Sequence, residues 1–288
     1  MTSALTTDLN YMLPILEEEF PHSLPVFHCL RSALRGAWGE IGDMKVDMSA
    51  TIENLSILCH TPSLVPTIQG QKESYLYTHS VDPDVVKSFI QQPGTIDWHA
   101  DNHCFLMTFI PKKQDFLPLI LKECVNVRGY QVRDEGRCCM CIYSTDTKKT
   151  KSTIPRGLKM GQLSPVHVQY VTASWKFSTP YTVTTIRRNI EVFPSCAIFE
   201  EASSEPVCWA MVKAHGGIGL EHTMDKYRKK KLQKRVLREL VAQITKKGDI
   251  PFVFVQEDNV PLLKAYKKLG FTEVIDCAFT WIKFSKNP

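Results

Sequence analysis

No apolar run reaches eighteen residues anywhere in the 288-residue chain, which argues against a membrane-spanning helix. Lys and Arg are absent from Met1 to Phe20, where three consecutive glutamates stand instead, so neither a secretory signal nor an arginine-rich transit peptide is expected there. Cysteines are present, but Cys138-Cys139-x-Cys141 has no second pair at ligand spacing, and no metal site is expected. Cys59, Cys196 and Cys208 sit among apolar neighbours and read as buried free thiols. None of the cysteines has an adjacent His or basic setting that argues for a nucleophile. No internal sequence repeat is evident. What the chain does have is 43% apolar content, enough to bury one large or two moderate cores. An intracellular protein is expected.

Its charge is concentrated. Between Lys226 and Lys247 ten Lys or Arg face one acid, Glu239, a local +9 in a chain of net +5, which leaves −4 elsewhere. The run opens as a turn, Tyr227 to Gln233, and continues as a helix with the stripe Leu232, Val236, Leu240 and Ile244, flanked by Leu237 and Val241. Cations at a helix start oppose the helix dipole. A bound polyphosphate would be favoured there by the dipole, the free N–H groups and the lysines together. A solvated charged face and a nucleic-acid patch are the other readings of such a run.

Next comes a strand, Phe252 to Gln256, whose continuous apolar run predicts burial on both faces. Asn259 is placed to cap the following helix, Pro261 stands in its first turn, and Gly270 suits a left-handed stop. Leu262, Leu263, Tyr266 and Leu269 predict its inward face, with Lys264, Lys267 and Lys268 outside.

The amino-terminal half reads as α+β. It has an opening helix (Asp8 to Phe20, stripe Leu9, Met12, Leu13, Leu16 and Phe20), strands at Leu55 to Cys59, Cys104 to Ile110 and Met140 to Tyr143, and helices at Val85 to Gln91 and Asp115 to Cys124. Ser144 to Ser164 is polar, lysine-rich and carries Pro and Gly, so it reads as a linker or mobile loop. Thr182 to Val192 then predicts a helix, followed by strands at Cys196 to Phe199 and Pro206 to Lys213. The domains expected are 1–145, a linker 146–164, and 165–288.

Several stretches, taken in order, resemble the glycine N-acyltransferase family, a branch of the Gcn5-related acyltransferase (GNAT) superfamily. Phe193-Pro194-Ser195-Cys196 with Pro206-Val207-Cys208-Trp209 is similar to its paired-strand motif. Thr223-Met224-Asp225-Lys226-Tyr227-Arg228 resembles its "TLPEYR", and Asp82-Pro83 through Phe89 to Ile96-Asp97-Trp98 its "DP…FL…INW". The pattern of Asn259, Tyr266 and Gly270-Phe271 is shared with the wider superfamily.

The resemblance implies a splayed mixed β-sheet flanked by helices, with a degenerate related amino-terminal half that shapes the acceptor side. It also implies acyl-coenzyme A (acyl-CoA) as co-substrate, wedged into the splay, with its pyrophosphate on the turn before the basic helix. Thr223, Met224, Arg228, Lys229, Lys230, Lys231, Gln233 and Asn259 would bind it. Tyr266 would protonate the departing thiolate, and a backbone N–H near Thr223 or Met224 would hold the oxyanion.

Two departures from the superfamily pattern stand out. The phosphate turn, Arg/Gln-x-x-Gly-x-Gly/Ala elsewhere, reads Arg228-Lys229-Lys230-Lys231-Leu232-Gln233, so both small residues are gone. Lys231 either blocks the phosphate seat or adds a direct phosphate contact. The family's proposed base, counted back from Tyr227, falls on Gly217. Glu221 is the substitute, four residues on and so on the same face of a regular strand, with His222 on the other.

Three functions follow. The first is a monomeric acyl-CoA:amino-acid N-acyltransferase, with glycine as acceptor, in the mitochondrion by resemblance or in the cytosol. The second is a catalytically degraded relative that binds acyl-CoA or a protein partner without turnover. The third is a nucleic-acid module, disfavoured because no aromatic-rich face accompanies the cations.

Overall fold

The computed structural model describes residues 6–37, 45–48, 56–60, 72–78, 82–92, 103–109, 122–123, 125–127, 129–144, 153–176, 178 and 182–286. They form two units. One takes residues 1–140, 256–258 and 274–288; the other takes 141–255 and 259–273.

The first unit opens with α1 (Thr6–Glu18) and α2 (Leu24–Leu34). Met12 and Leu16 are buried as expected, but α1 ends at Glu18 and Phe20 lies in the turn, edge-on to Phe27 at 4.9 Å. α2 escapes a periodicity search because seven consecutive residues from Leu24 to Leu30 are all buried and leave no polar face to set a stripe. Strands β1 (Lys45–Met48), β2 (Ser56–His60) and β3 (Lys72–Thr78) run antiparallel in turn. Helix α3 (Pro83–Gln91) then crosses to β4 (His103–Phe109), parallel to β3. The helix expected at Asp115 to Cys124, and Ile96-Asp97-Trp98, lie outside the described residues, apart from two helical residues at 122–123.

β5 (Tyr130–Tyr143) is far longer than the strand expected from Met140, and its last residues join the second unit, where Tyr143 N–H donates to Pro251 O at 2.9 Å. That unit continues with β6 (Leu158–Gly161), α4 (Val168–Ser174), α5 (Thr182–Val192), β7 (Ser195–Glu200), β8 (Pro206–Val212) and β9 (Ile218–Thr223). It is completed by α6 (Leu232–Lys246), β10 (Phe252–Gln256) and α7 (Val260–Leu269), and by the start of β11 (Phe271–Lys286). The strand order here is β5-β10-β9-β8-β7-β6. The stretch expected as a linker therefore contains a strand, β6, antiparallel to β7 through Leu158↔Glu200 to Gly161↔Ala197. Sheet pairing can order a polar segment that shows no periodicity of its own. The rest of β11 pairs with β4, Ala278↔Phe109 through Phe284↔His103, so the expected boundary at 165–288 does not hold for the chain's end.

Each unit repeats one order of elements. Three antiparallel strands (β1-β2-β3; β7-β8-β9) lead through a helix (α3; α6) to a strand parallel to the third (β4; β10). This shared topology agrees with an amino-terminal half related to the carboxyl-terminal one.

Both faces of the second sheet are covered. Cys196, Ile198, Cys208, Ala210 and Val212 meet the α6 stripe of Leu232, Val236, Leu237, Leu240, Val241 and Ile244, all buried as the sequence predicts. Their alternates Ala197, Phe199, Trp209 and Met211 meet Val168 and Val171 of α4 and Ile186 and Ile190 of α5. Each of the larger α6 side chains contributes about 1.5–3 kcal/mol relative to exposure. Val253 and Val255 of β10 join the α6 face, while Phe252 and Phe254 stack around His215, the two-sided burial expected of an apolar run.

Candidate active site

β9 decides which residues face α6. Its register with β8 runs Val212↔Ile218 and Met211↔Gly219, then resumes at Trp209↔His222, so Ala210 alone stands opposite both Leu220 and Glu221. Leu220 takes φ 52°, the mark of a one-residue bulge. Ile218 packs on the α6 side, and strict alternation would send Leu220 there too; instead Leu220 packs with Trp209 on the opposite face. The next residue, Glu221, is thereby turned towards α6 and α7. His222 goes to the other face, 5.0 Å from the Trp209 ring.

The expectation that Glu221 shares the face of position 217 by counting four is corrected by this bulge. Gly217 lies in the turn before β9, and a Cβ there would stand 2.6 Å from His215 Cε1 and 2.8 Å from Phe252 Cε2. A carboxylate has no room at 217. We expect Gly217→Ala to destabilise the protein by about 1–3 kcal/mol, the usual cost of overpacking, measurable as a lower urea midpoint at unchanged slope.

Glu221 is held at both oxygens. Gln233 Nε2 donates to Oε2 at 2.7 Å, and the Tyr266 hydroxyl donates to Oε1. Burial pushes the Glu221 carboxyl up to about 7, against the pull of the Gln233 bond towards the ionised form. A carboxylate in that range suits a general base near neutral pH. Tyr266 is buried on α7, edge-on to Phe271 at 5.1 Å, which in turn meets Tyr143 at 5.4 Å. The two residues read from the sequence as acid and base are therefore in direct contact.

Behind them lies a second polar layer. Gln233 Oε1 accepts from Thr223 Oγ1 at 3.0 Å and from Cys208 Sγ at 3.2 Å. Burial raises the Cys208 thiol to about 12, so it is a neutral donor and not a thiolate nucleophile. The Thr223 hydroxyl is thus engaged with Gln233, and the Gln233 amide with Glu221, and neither side chain bonds to the basic turn that the sequence assigned to phosphate. Of the expected site residues, Met224 is corrected as an oxyanion donor, because its N–H is committed to Val207 O at 2.9 Å.

The basic turn follows β9 directly. A 3-10 turn, Asp225–Tyr227, buries Tyr227, whose hydroxyl donates to Glu200 and whose ring lies 5.2 Å from Lys226 Nζ and 4.8 Å from Lys230 Nζ. Arg228 pairs with Asp225 at 2.7 Å and donates to Thr223 O at 3.3 Å. Lys229 and Lys231 have φ of 64° and 57°, the left-handed region that glycine enters freely. Lys231 is the N-cap of α6 with no side-chain cap bond, and it is exposed. The turn thus keeps a glycine-type backbone with lysine side chains facing water, and α6 begins without a carboxylate or hydroxyl on its first N–H groups.

β9 and β10 are registered at a single pair, Ile218↔Val253. Glu221 and Thr223 lie beyond that pair along β9. Asn259 caps α7 by accepting from Leu262 N–H at 3.2 Å, and Gly270 closes it at φ 98°. The expected inward stripe is corrected at one position: Leu262 is 39% exposed, while Leu263 and Leu269 pack against the core beside Tyr266.

Comparisons with known proteins agree with this geometry. Residues 195–281 match the family model described as FR47-like protein. A Drosophila protein of known structure superposes with a TM-score of 0.81 at 14% identity, covering 99% of this chain and 98% of its own. A tandem GNAT protein from the clavulanic acid biosynthesis pathway gives 0.56 at 12%, covering 100% and 98%. A GCN5-related N-acetyltransferase from Kribbella flavida gives 0.53 at 11%, covering 90% and 94%. No curated protein matches the chain in sequence. Among the described residues no helix is long and apolar enough to cross a membrane. The fold is that of the GNAT proteins, a helix-flanked mixed sheet, and the FR47-like match covers the strands and helices that carry Glu221, the basic turn and Tyr266.

Proposed function

We propose that the chain is an acyl-CoA-dependent N-acyltransferase acting on a small amino acid, glycine first among them. The observation that carries this is the Glu221–Tyr266 pair, set where β9 runs on past its single registered pair with β10 and close in sequence to the uncapped, cation-rich start of α6. The phosphates of acyl-CoA fit the first N–H groups of α6 and the exposed Lys229 and Lys231. The related helix start in the first unit is unsuited to an anion: Asp82 caps α3 by accepting from Asp84 N–H at 2.9 Å, and Pro83 occupies the first turn. One acyl-CoA per chain is expected. The choice of glycine and a mitochondrial setting rest on the sequence resemblance alone, and an acceptor panel and organelle fractionation test them.

The reaction follows from the two hydrogen-bonded groups. An amino acid's ammonium loses one proton to solvent, and the neutral amine attacks the thioester carbonyl carbon. Glu221 takes the second proton as the C–N bond forms. Once protonated, Glu221 can donate to the Tyr266 oxygen, which frees the Tyr266 O–H to turn towards sulfur. As the C–S bond breaks, the thiolate takes the Tyr266 proton and Tyr266 recovers one from Glu221. The products are the amide, the CoA thiol and one proton in water. Thiol release from acyl-CoA in the presence of an amino-acid panel tests the proposal. Binding of one CoA without release for any amine would leave a non-catalytic binder.

The strained lysine gives a separate test. Lys231→Gly removes a left-handed strain of about 1–2 kcal/mol and so should raise the melting temperature slightly. It should also weaken CoA binding several-fold and flatten its salt dependence, since one charge-assisted contact is lost while the backbone seat stays. Titration calorimetry at two salt concentrations reads both. Tighter binding by the variant would instead mean that the lysine side chain obstructs the seat.

A further inference from the structure

Gln233 is a helix residue whose side-chain amide nitrogen and oxygen are both hydrogen-bonded to other side chains. Its Nε2 reaches Glu221 Oε2 at 2.7 Å, and its Oε1 is held by Thr223 Oγ1 at 3.0 Å and Cys208 Sγ at 3.2 Å. This fixes the amide's direction, because the reverse orientation would set its oxygen against the Glu221 carboxylate. Thr223 and Cys208 also contact each other at 3.1 Å, so three side chains from β8, β9 and α6 form a closed polar triangle with one outgoing N–H.

We propose that Gln233 is a positioning residue for Glu221: anchored by Thr223 and Cys208, it holds one carboxylate oxygen and leaves the other to Tyr266 and the incoming amine. The inference rests on the reading of Glu221 as the base. The groups that face the carboxylate are Cys208 from β8, Gln233 from α6 and Tyr266 from α7, while His222 beside it on β9 faces Trp209. The Gln233 bond favours the ionised carboxylate against burial, acting at Oε2 as the Tyr266 hydroxyl does at Oε1. The thiol stays neutral at working pH, so the anchor does not change with Glu221's own titration. The role sets Gln233 apart from a phosphate contact, for which only its backbone N–H at the start of α6 remains.

The test uses the full chain and two variants, Gln233→Leu and Gln233→Met. Three quantities are read: the Glu221 carboxyl titration by carbon-13 NMR, assigned with Glu221→Gln; the pH profile of kcat/KM for thiol release; and CoA affinity by calorimetry. Loss of the donor should move the carboxyl titration and the acid limb upward together by roughly one pH unit. The rate below that limb should then fall about tenfold and recover at alkaline pH. CoA affinity should stay within about twofold, and Gln233→Leu should add little to Glu221→Gln. An unmoved titration overturns the proposal, with weakened CoA binding placing Gln233 at the phosphates instead. Loss of the fold in both variants also overturns it, in favour of a purely structural role. If Glu221→Gln keeps the wild-type rate, the base assignment fails, yet the NMR titration still reports whether Gln233 sets the carboxyl's proton affinity.

Discussion

Glu221→Gln is expected to lower kcat at pH 7 by about 100- to 10,000-fold, the span for loss of a general base, and at the same time to stabilise the protein. The two effects share one cause. The carboxyl ordinarily titrates at 4.5 and is raised by burial to about 7, so folding favours its protonated form. Its contribution to stability is fully present below 4.5 and is lost as pH rises through about 7. Above that pH the folded protein carries an ionised carboxylate in a poorly solvated site. Glutamine keeps a partner for each neighbour, its carbonyl accepting from Gln233 and its amide donating to the Tyr266 oxygen, while the charge is gone. The gain at pH 8 should be about 2 kcal/mol, reduced from the full linkage value because the site is only partly buried. At pH 5 it should fall to about 0.5 kcal/mol, because the unfolded carboxyl is already mostly ionised there while the folded one is protonated. Melting temperatures at the two pH values, with thiol-release rates, check both halves. A variant that keeps the rate, or whose stability gain is the same at both pH values, would remove Glu221 from the base's role.

Tyr266→Phe should lower kcat by about 10- to 1000-fold while CoA affinity stays nearly constant. The ring's packing on Phe271 survives in the variant, so the loss reports the hydroxyl alone. CoA thiolate is a good leaving group, which is why the effect should be smaller than that of Glu221→Gln. Because the two side chains are hydrogen-bonded and pass one proton between them, their losses should not multiply. A double variant about as slow as Glu221→Gln fits the relay. Fully multiplicative losses would mean that the two groups act independently, and an unchanged kcat in Tyr266→Phe would return it to a packing role.

Much of the second unit is legible in the residues. The α6 stripe, the two-sided apolar run of β10, the Asn259 cap and the Gly270 stop are local patterns, and each stands where its spacing puts it. Glu221 and Tyr266 are also readable as candidates from the resemblance. Their contact is not, since they are 45 positions apart in sequence and meet only because β9 and α7 pack on one face. The bulge is equally hidden: Leu220 is a branched aliphatic residue at positive φ, where sequence preference points to glycine. Gln233 looks like a lost glycine in a phosphate turn until its side chain is followed to Glu221.

Helix and strand are readable residue by residue wherever a face is periodic or an end is capped, because those preferences act over a few residues. The gathering of cations at and just before α6 is equally plain in the residues. That β6 arises within a polar stretch, that the end of β11 pairs with β4, and that the two units repeat one topology without a visible sequence repeat emerge from the folded chain alone. Pairing between strands distant in sequence is fixed by backbone hydrogen bonds and by the face that must be covered, and neither leaves a mark on a single segment. The site depends on the same non-local terms: one extra residue in β9 reversed its faces and put a carboxylate, an amide and a phenol in contact.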